Sequence, residues 1–316
     1  MKSFNAPIVL ITAAALILPA FAADSIQGKK RVLEFPTDKK VARIFYCRAD
    51  NKHPNETVIV TAASRPAIGS VTLQPNDKIA LEVTWDGAED LSWLSKLKPD
   101  DVLVLDLHKL PVQKKGYAYI AKQTGLKYLF LEDTELEDDD LESIGKLTNL
   151  VALRISKTAV RGSGFRFLYP LKKLEKLNLG HLDLDEKSVS SLQCLHSLKE
   201  LDVANCGLTN SAIKAISGIT SLTLLSLRSN KHLDESKLSQ LRSLKNLSNL
   251  NLADTNVSSN VGKELKSLPH LAILRLGGGK TASLDMTAIQ KQLPACRVIS
   301  VDSKDEFAKR IFSPLH

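Results

Sequence analysis

The sequence has few cysteines: Cys47, Cys194, Cys206 and Cys296 are the only four in 316 residues, and no two form a C-x-x-C pair. That spacing leaves a zinc site or a dithiol redox centre little support. The seven histidines never fall into H-E-x-x-H, nor beside a cysteine and a carboxylate at ligand spacing, so each reads as an ordinary surface residue. No G-x-S-x-G elbow occurs and nothing pairs a nucleophile with a base, so no enzyme and no cofactor is expected. Beyond residue 22 no apolar run is long enough to cross a bilayer.

Two motifs are present only in part. Gly277-Gly278-Gly279-Lys280-Thr281 matches the end of a phosphate-binding loop, but the first glycine of that pattern would stand at 274, where the chain has Leu274. Without it the nest around a phosphate is incomplete, and the glycines read instead as shaping a turn. The run Asp138-Asp139-Asp140 lacks the glycine and terminal glutamate of a calcium loop, which leaves helix-start capping as its expected role. Asn55, Asn246 and Asn256 open N-x-[ST] sequons, which matter only in a eukaryotic secretory pathway.

Residues 1–22 read as a signal peptide. Lys2 precedes an apolar run from Ile8 to Leu18, Pro19 breaks it, and Ala20-Phe21-Ala22 supplies a small-x-small cleavage site, so cleavage after Ala22 and a secreted or periplasmic product are expected. Residues 23–77 carry short β-rich runs (VLEF, VARIFYC, TVIVTA, SVTL) broken by Pro36, Pro54, Pro66 and Pro75, which predicts a small β-rich N-terminal capping module. Trp93 is expected in the core and Trp85 at the surface. At the other end, Phe307, Ile311 and Phe312 predict a closing helix within 302–316.

The formal net charge is +8, and loss of Lys2 with the signal segment lowers it by one. The charge is uneven. The stretch 126–149 has two basic residues against eight acidic, whereas 150–173 has six basic and none acidic. Such neighbours of opposite sign read as holding two adjacent turns together rather than as a nucleic-acid surface, and no groove-reading motif is present.

What is abundant is leucine at fixed spacing. Units begin at Leu126, Leu150, Leu174, Leu198, Leu222, Leu247 and Leu271, a period of 24 residues with one extra in the unit holding His232. Earlier partial copies contain Val102, Leu105 and Leu107, and a degenerate last copy is read from Cys296, Ile299 and Val301. A pattern held this long at one period is a solenoid signature. Within a unit, Leu129 and Leu131 are two apart and face one side of a strand, while Leu141, Ile144 and Leu147 recur every three residues as a helical stripe. The ninth position (Thr134, Thr158, Cys206, Asn230, Thr255) holds small side chains able to bond the buried backbone of the turn.

The pattern L-x-x-L-x-L-x-x-(T/N/C)-x-(L/V) resembles the leucine-rich repeat, in the plain form of secreted bacterial proteins. The resemblance covers residues 78–301 and implies an α/β solenoid, with a curved parallel β-sheet inside and helices on the convex side. It also implies recognition through the concave face. Alternation along the strands assigns Tyr128, Phe130, Arg154, Asn178, Asp202, Arg228, Asn251 and Arg275 to that face as candidate partner-binding residues. Tyr128, Phe130 and Arg154 form one expected hot spot and Arg228 with Arg275 another, because aromatic and arginine side chains combine contact area with directional bonds. The expected product is a monomeric, noncatalytic, exported binder of another protein or an envelope polymer. The alternatives are a structural component of the cell envelope or a cell-wall polysaccharide binder. A Cys194 to Cys206 bridge stays open at this stage.

Overall fold

The computed structural model describes residues 30–49, 57–75, 77–278 and 283–301. The expected signal peptide, the closing helix within 302–316, the Asn55 sequon and residues Gly279 to Thr281 of the glycine run lie outside the described residues.

The chain forms an α/β solenoid. Strands β1 (Arg31–Glu34), β2 (Ala42–Ala49), β3 (Thr57–Pro66), β4 (Ser70–Leu73) and β5 (Lys78–Val83) come first. Then each turn adds one short strand: β6 (Val102–Asp106), β7 (Tyr128–Phe130), β8 (Ala152–Arg154), β9 (Lys176–Asn178), β10 (Glu200–Asp202), β11 (Leu224–Ser226), β12 (Asn249–Asn251), β13 (Ile273–Leu276) and β14 (Arg297–Ser300). From β5 to β14 neighbours pair in parallel, in chain order.

The leucine period sets this register. Leu105, Leu129, Leu153, Leu177, Leu201, Leu225, Leu250 and Leu274 are partners in successive strands, and all have 0 % exposure. Each such side chain contributes about 1.5–3 kcal/mol of burial. The last copy is the exception: Leu274 pairs with Val298 and Arg275 with Ile299. The degenerate unit is therefore shifted by one residue from the frame read at Cys296, Ile299 and Val301. Cys296 stays in the core cluster, and Val298, partly buried, packs against it.

Three-residue strands would leave most of each turn's backbone unpaired, but the ladder runs on past them. Leu131 N–H donates to Arg154 O and Asp133 N–H to Ser156 O, both at 2.9 Å. To aim that second donor at the next turn, the eighth residue of each unit takes the left-handed conformation. The angle φ is 59° at Lys109, 57° at Asp133 and Lys157, 63° at His181, 53° at Asn205, 58° at Ser229 and 56° at Asp254. Outside glycine this region costs roughly 1–2 kcal/mol, least for Asn and Asp. That lysine, histidine and serine also adopt it shows that the ladder outweighs local preference.

The ninth side chain then fills the corner. Thr134, Thr158 and Thr255 hydroxyls donate to the carbonyl three residues back at 2.7, 2.8 and 2.6 Å. Asn230 does most: its Nδ2 donates to Leu227 O and Val203 O at 2.8 and 3.0 Å, and its Oδ1 accepts from Cys206 and Leu208 N–H at 3.0 Å.

The helical side consists of short helices of about one to three turns, several of them 3-10, such as Asp138–Asp140, Ser163–Leu168 and Glu235–Ser243. The three-residue leucine spacing suits that tighter winding. Within the acidic run, Glu137 and Asp140 form a capping box. Asp138 reaches the next turn, accepting from the N–H groups of Gly162 at 3.0 Å and Gly164 at 2.8 Å. A Cβ on Gly164 would overlap the Asp138 backbone, so this close approach requires glycine there.

At the N-terminal end, β2 pairs antiparallel with both β5 and β3, so this hairpin continues the sheet, while β1 and β4 form a separate pair. The switch from antiparallel to parallel pairing occurs at β5, but the apolar core does not break there: Leu33, Ile44, Leu73 and Leu81 belong to the same cluster as the solenoid leucines. Arg31 bonds Asp101 across this junction. Trp93 is buried and its Nε1 donates to Gly87 O at 2.9 Å, whereas Trp85 is 59 % exposed.

All four cysteines are unbridged. The Cys206 thiol lies 3.1 Å from Leu179 O and the Cys194 thiol 3.3 Å from Ser191 O. Burial pushes the Cys47 and Cys206 thiols up to about 12 and Cys296 up to about 11, so these three are held as neutral core groups.

Replacing Asn230 with leucine removes a partner from five backbone groups, so urea midpoints should report a loss of about 3 kcal/mol or more. Thr255→Val, which removes one donor, should cost about 1 kcal/mol. Equal losses would mean that the bonds across the corner contribute little.

Candidate binding face

The third, fifth and seventh residues of each unit point away from the leucines, to the outer face of the sheet. The in-step pairing sorts them into columns. The fifth-position column runs Asp106, Phe130, Arg154, Asn178, Asp202, Ser226, Asn251, Arg275. It contains six of the eight residues that alternation assigns, Tyr128 standing at the third position and Arg228 at the seventh, and its chemistry changes along the sheet.

Toward the N-terminal end the face is apolar and covered. Tyr128 and Phe130 are each 2 % exposed and cluster with Cys47, Ala80, Leu103, Val104 and Ala152, with Phe45 packed alongside. Alternation places these two rings on the expected side, but their expected exposure as a hot spot needs correcting, because small and branched neighbours let them pack as a second core. Arg154 lies over the Phe130 ring, 5.4 Å from its centroid, and pairs with Glu132. Burial raises the Glu132 carboxyl above its usual range, opposed by the Arg154 guanidinium.

One turn earlier, Asp106 holds His108: Oδ1 accepts the backbone N–H at 3.0 Å and lies 2.7 Å from ring Nδ1. That hydrogen bond raises the imidazole above 6.5 against the opposing effect of burial.

Three other expected contact residues serve the fold. Asn178, Asp202 and Asn251 are 4 %, 2 % and 1 % exposed. Each directs a side-chain oxygen to the N–H two residues ahead, on Gly180, Ala204 and Ala253, at 2.9, 3.0 and 3.0 Å. They set the turn out of the strand. Burial raises the Asp202 carboxyl, against bonds from Ala204 N–H and the Ser226 hydroxyl.

The accessible charge lies beside them. Lys176 and Glu200 bridge β9 and β10 at 2.9 Å. Arg228 and Arg275 are half-buried, and Arg275 reaches Asn249 Oδ1 at 3.5 Å. Small residues, Gly180, Ala204, Ala253 and Gly277, occupy the seventh position in the turns on either side of Arg228. The Lys176 and Glu200 pair is missing from the short list of candidates read from sequence, although opposite charges one period apart at the same strand position announce it.

Among the described residues, no group of three or more His, Cys, Asp or Glu is placed to hold a metal ion, and no helix is long and apolar enough to cross a membrane.

One strand per turn, a single leucine column, a left-handed eighth residue and a polar ninth together decide the architecture. The fold is a leucine-rich-repeat solenoid. No family model and no curated protein matches the sequence. Among solved structures, an internalin from Listeria monocytogenes is similar at 20 % identity and a TM-score of 0.48, covering 58 % of this chain and 50 % of that one. The match thus spans half the length of that internalin. An internalin C2 from the same organism is similar at 22 % identity and a TM-score of 0.40, covering 56 % of this chain and 80 % of that one.

Because the folded His108 pKa lies above its ordinary value, the pair with Asp106 stabilises this leucine-rich-repeat solenoid below about pH 6.5, and that contribution fades as pH rises through the folded pKa. Asp106→Asn should therefore lose more stability relative to the parent at about pH 5.5 than at about pH 9. The His108 resonance should also titrate closer to 6.5 in the variant. A gap that does not change with pH would exclude the pair as its source.

Proposed function

We propose that this solenoid is an exported, noncatalytic scaffold that binds another protein across the outer, concave face of its sheet. The observation that carries the reading is the C-terminal half of that face, where Lys176, Glu200, Arg228 and Arg275 stand half-buried on an in-register ladder. Groups held on strands lose little freedom when a partner docks, so a larger part of their contact energy remains as affinity. Arginine is favoured at such contacts for its area and its directional donors. The N-terminal aromatics are withdrawn from the contact surface, and the interface is assigned to β9 through β13. Export rests on the signal-peptide pattern of residues 1–22.

Reversing both arginines, Arg228→Glu with Arg275→Glu, should abolish affinity capture of the protein partner from the native envelope or medium while leaving the thermal midpoint unchanged. Capture of the same partner by the double variant would refute this placement. Ordered, concentration-dependent self-association in sedimentation would instead favour an assembly role.

A further inference from the structure

Parallel register does more than stack leucines: it sorts charge to the two long flanks of the sheet, neither of which belongs to the outer face. Strands β7 to β13 pair in step, so the residues leading into them lie along one flank and the turns leaving them along the other. On the entry flank, the segments 121–127, 145–151, 169–175, 193–199, 217–223, 242–248 and 266–272 together hold nine lysines and arginines and one acidic residue, Glu175. On the exit flank, the segments 133–139, 157–163, 181–187, 205–211, 229–235 and 254–260 hold eleven acidic residues and four basic ones.

The two flanks are roughly 20 Å apart, at about 3.3 Å per strand residue. That exceeds two screening lengths of about 8 Å at physiological salt, so neither cancels the other's field.

Little within the entry flank neutralises it. Glu175 pairs with Lys199 at 3.0 Å, Lys146 has Glu142 at 3.8 Å on the preceding helical turn, and Lys173 donates to the neutral Asn149. Of the nine cations, all but Lys127 are exposed. The Lys127 ammonium is held below its usual range by burial and then by Lys173 and Lys78, which shows the flank's cations lying within reach of one another.

One exposed aromatic ring accompanies them. Tyr169 is 41 % exposed, beside Lys172 and Lys173.

The spacing selects the partner. Six of the seven entry segments carry one or two cations, 217–223 carrying none, and successive turns lie about 4.8 Å apart, close to the advance per residue of an extended sugar chain. A flat tyrosine ring suits the face of a sugar. A lipid surface would call for apolar side chains that protrude, but the leucines of this flank, Leu126, Leu150, Leu174 and Leu198, are at 0 % exposure. We propose that the entry flank binds an extended acidic polysaccharide, its carboxylate or sulfate groups lying along the lysine row and one sugar stacked on Tyr169.

Calorimetric titration of the purified chain with heparin, which is sulfated, and with polygalacturonate, which carries carboxylates alone, tests this. At least one polymer should bind, with affinity falling steeply as salt rises. The triple variant Lys146→Gln, Lys172→Gln, Lys173→Gln should bind about tenfold or more weakly, as the sum of three exposed charge contacts. Tyr169→Ala should weaken binding without changing the salt dependence.

Lys157→Gln with Lys231→Gln, on the exit flank, should bind as the parent does. So should Arg228→Glu with Arg275→Glu, which separates this site from the protein interface on the outer face. Failure of both polymers to bind at low salt, equal loss in the exit-flank variant, or stronger binding to phosphatidylglycerol vesicles than to either polymer would overturn the assignment.

Discussion

Every turn of this protein depends on the next for its backbone hydrogen bonds. A strand of three residues satisfies few donors by itself, and the ladder becomes continuous only because the sixth and eighth residues also donate outward, as Leu131 and Asp133 do to Arg154 and Ser156. Two demands on sequence follow from that. The period must stay constant, or donors of one turn meet no acceptor on the next. The eighth residue must accept left-handed backbone, and here even Lys157 and His181 do so. Stability is thus a sum of interfaces between neighbouring turns, and Asn230, with partners in its own and the preceding unit, shows how one side chain serves two of them.

The same constraint shapes the outer face. Where the fifth position must close the turn out of a strand, a short side chain with an acceptor is buried there, as at Asn178, Asp202 and Asn251. Where it is released from that duty it can be large: Phe130 packs into the second apolar cluster and Arg154 lies across it. The face is therefore divided between an apolar half continuous with β2 and β5 and a polar half toward β13. The latter carries the half-buried Arg228 and Arg275 among the small seventh-position residues Gly180, Ala204, Ala253 and Gly277.

Much of the architecture was legible because periodicity is a direct physical record of burial. The leucine columns, the polar ninth residue, the buried Trp93 and the exposed Trp85 all follow from spacing and neighbours. The site was less legible. Alternation states which side of a strand Tyr128 occupies, but not whether Ala152, Val104 and Cys47 are near enough to bury it; that depends on which strands are adjacent, and the pairing of β2 with β5 leaves no periodic trace. Asn178 and Asp202 misled for a related reason, since a polar residue on an outer face looks the same whether it serves a partner or its own backbone. The last unit slipped by one residue because Cys296, Ile299 and Val301 mimic the leucine spacing while the ladder aligns Val298 instead.

The two charged flanks differ in origin. On the exit flank the acids serve the fold: Asp185 and Asp234 accept from Ser188 and Ser236 at 2.7 and 2.8 Å, and those bonds hold their carboxyls below the usual range. Asp138 ties two turns together, and acids at helix starts are favoured in any case. Solenoid construction alone therefore accounts for much of the negative charge. It accounts for part of the entry flank too, since Arg242 and Lys266 end helical segments and Lys146 pairs with Glu142, but not for Lys172 and Lys173, which cap no helix, and the one acid among the nine cations already has a partner. Like charges crowded on a line cost stability through mutual repulsion. A row of that kind, kept where folding gains little from it, implies a use outside the fold, and the lone exposed tyrosine beside its densest part points to a polymer with both charge and flat faces.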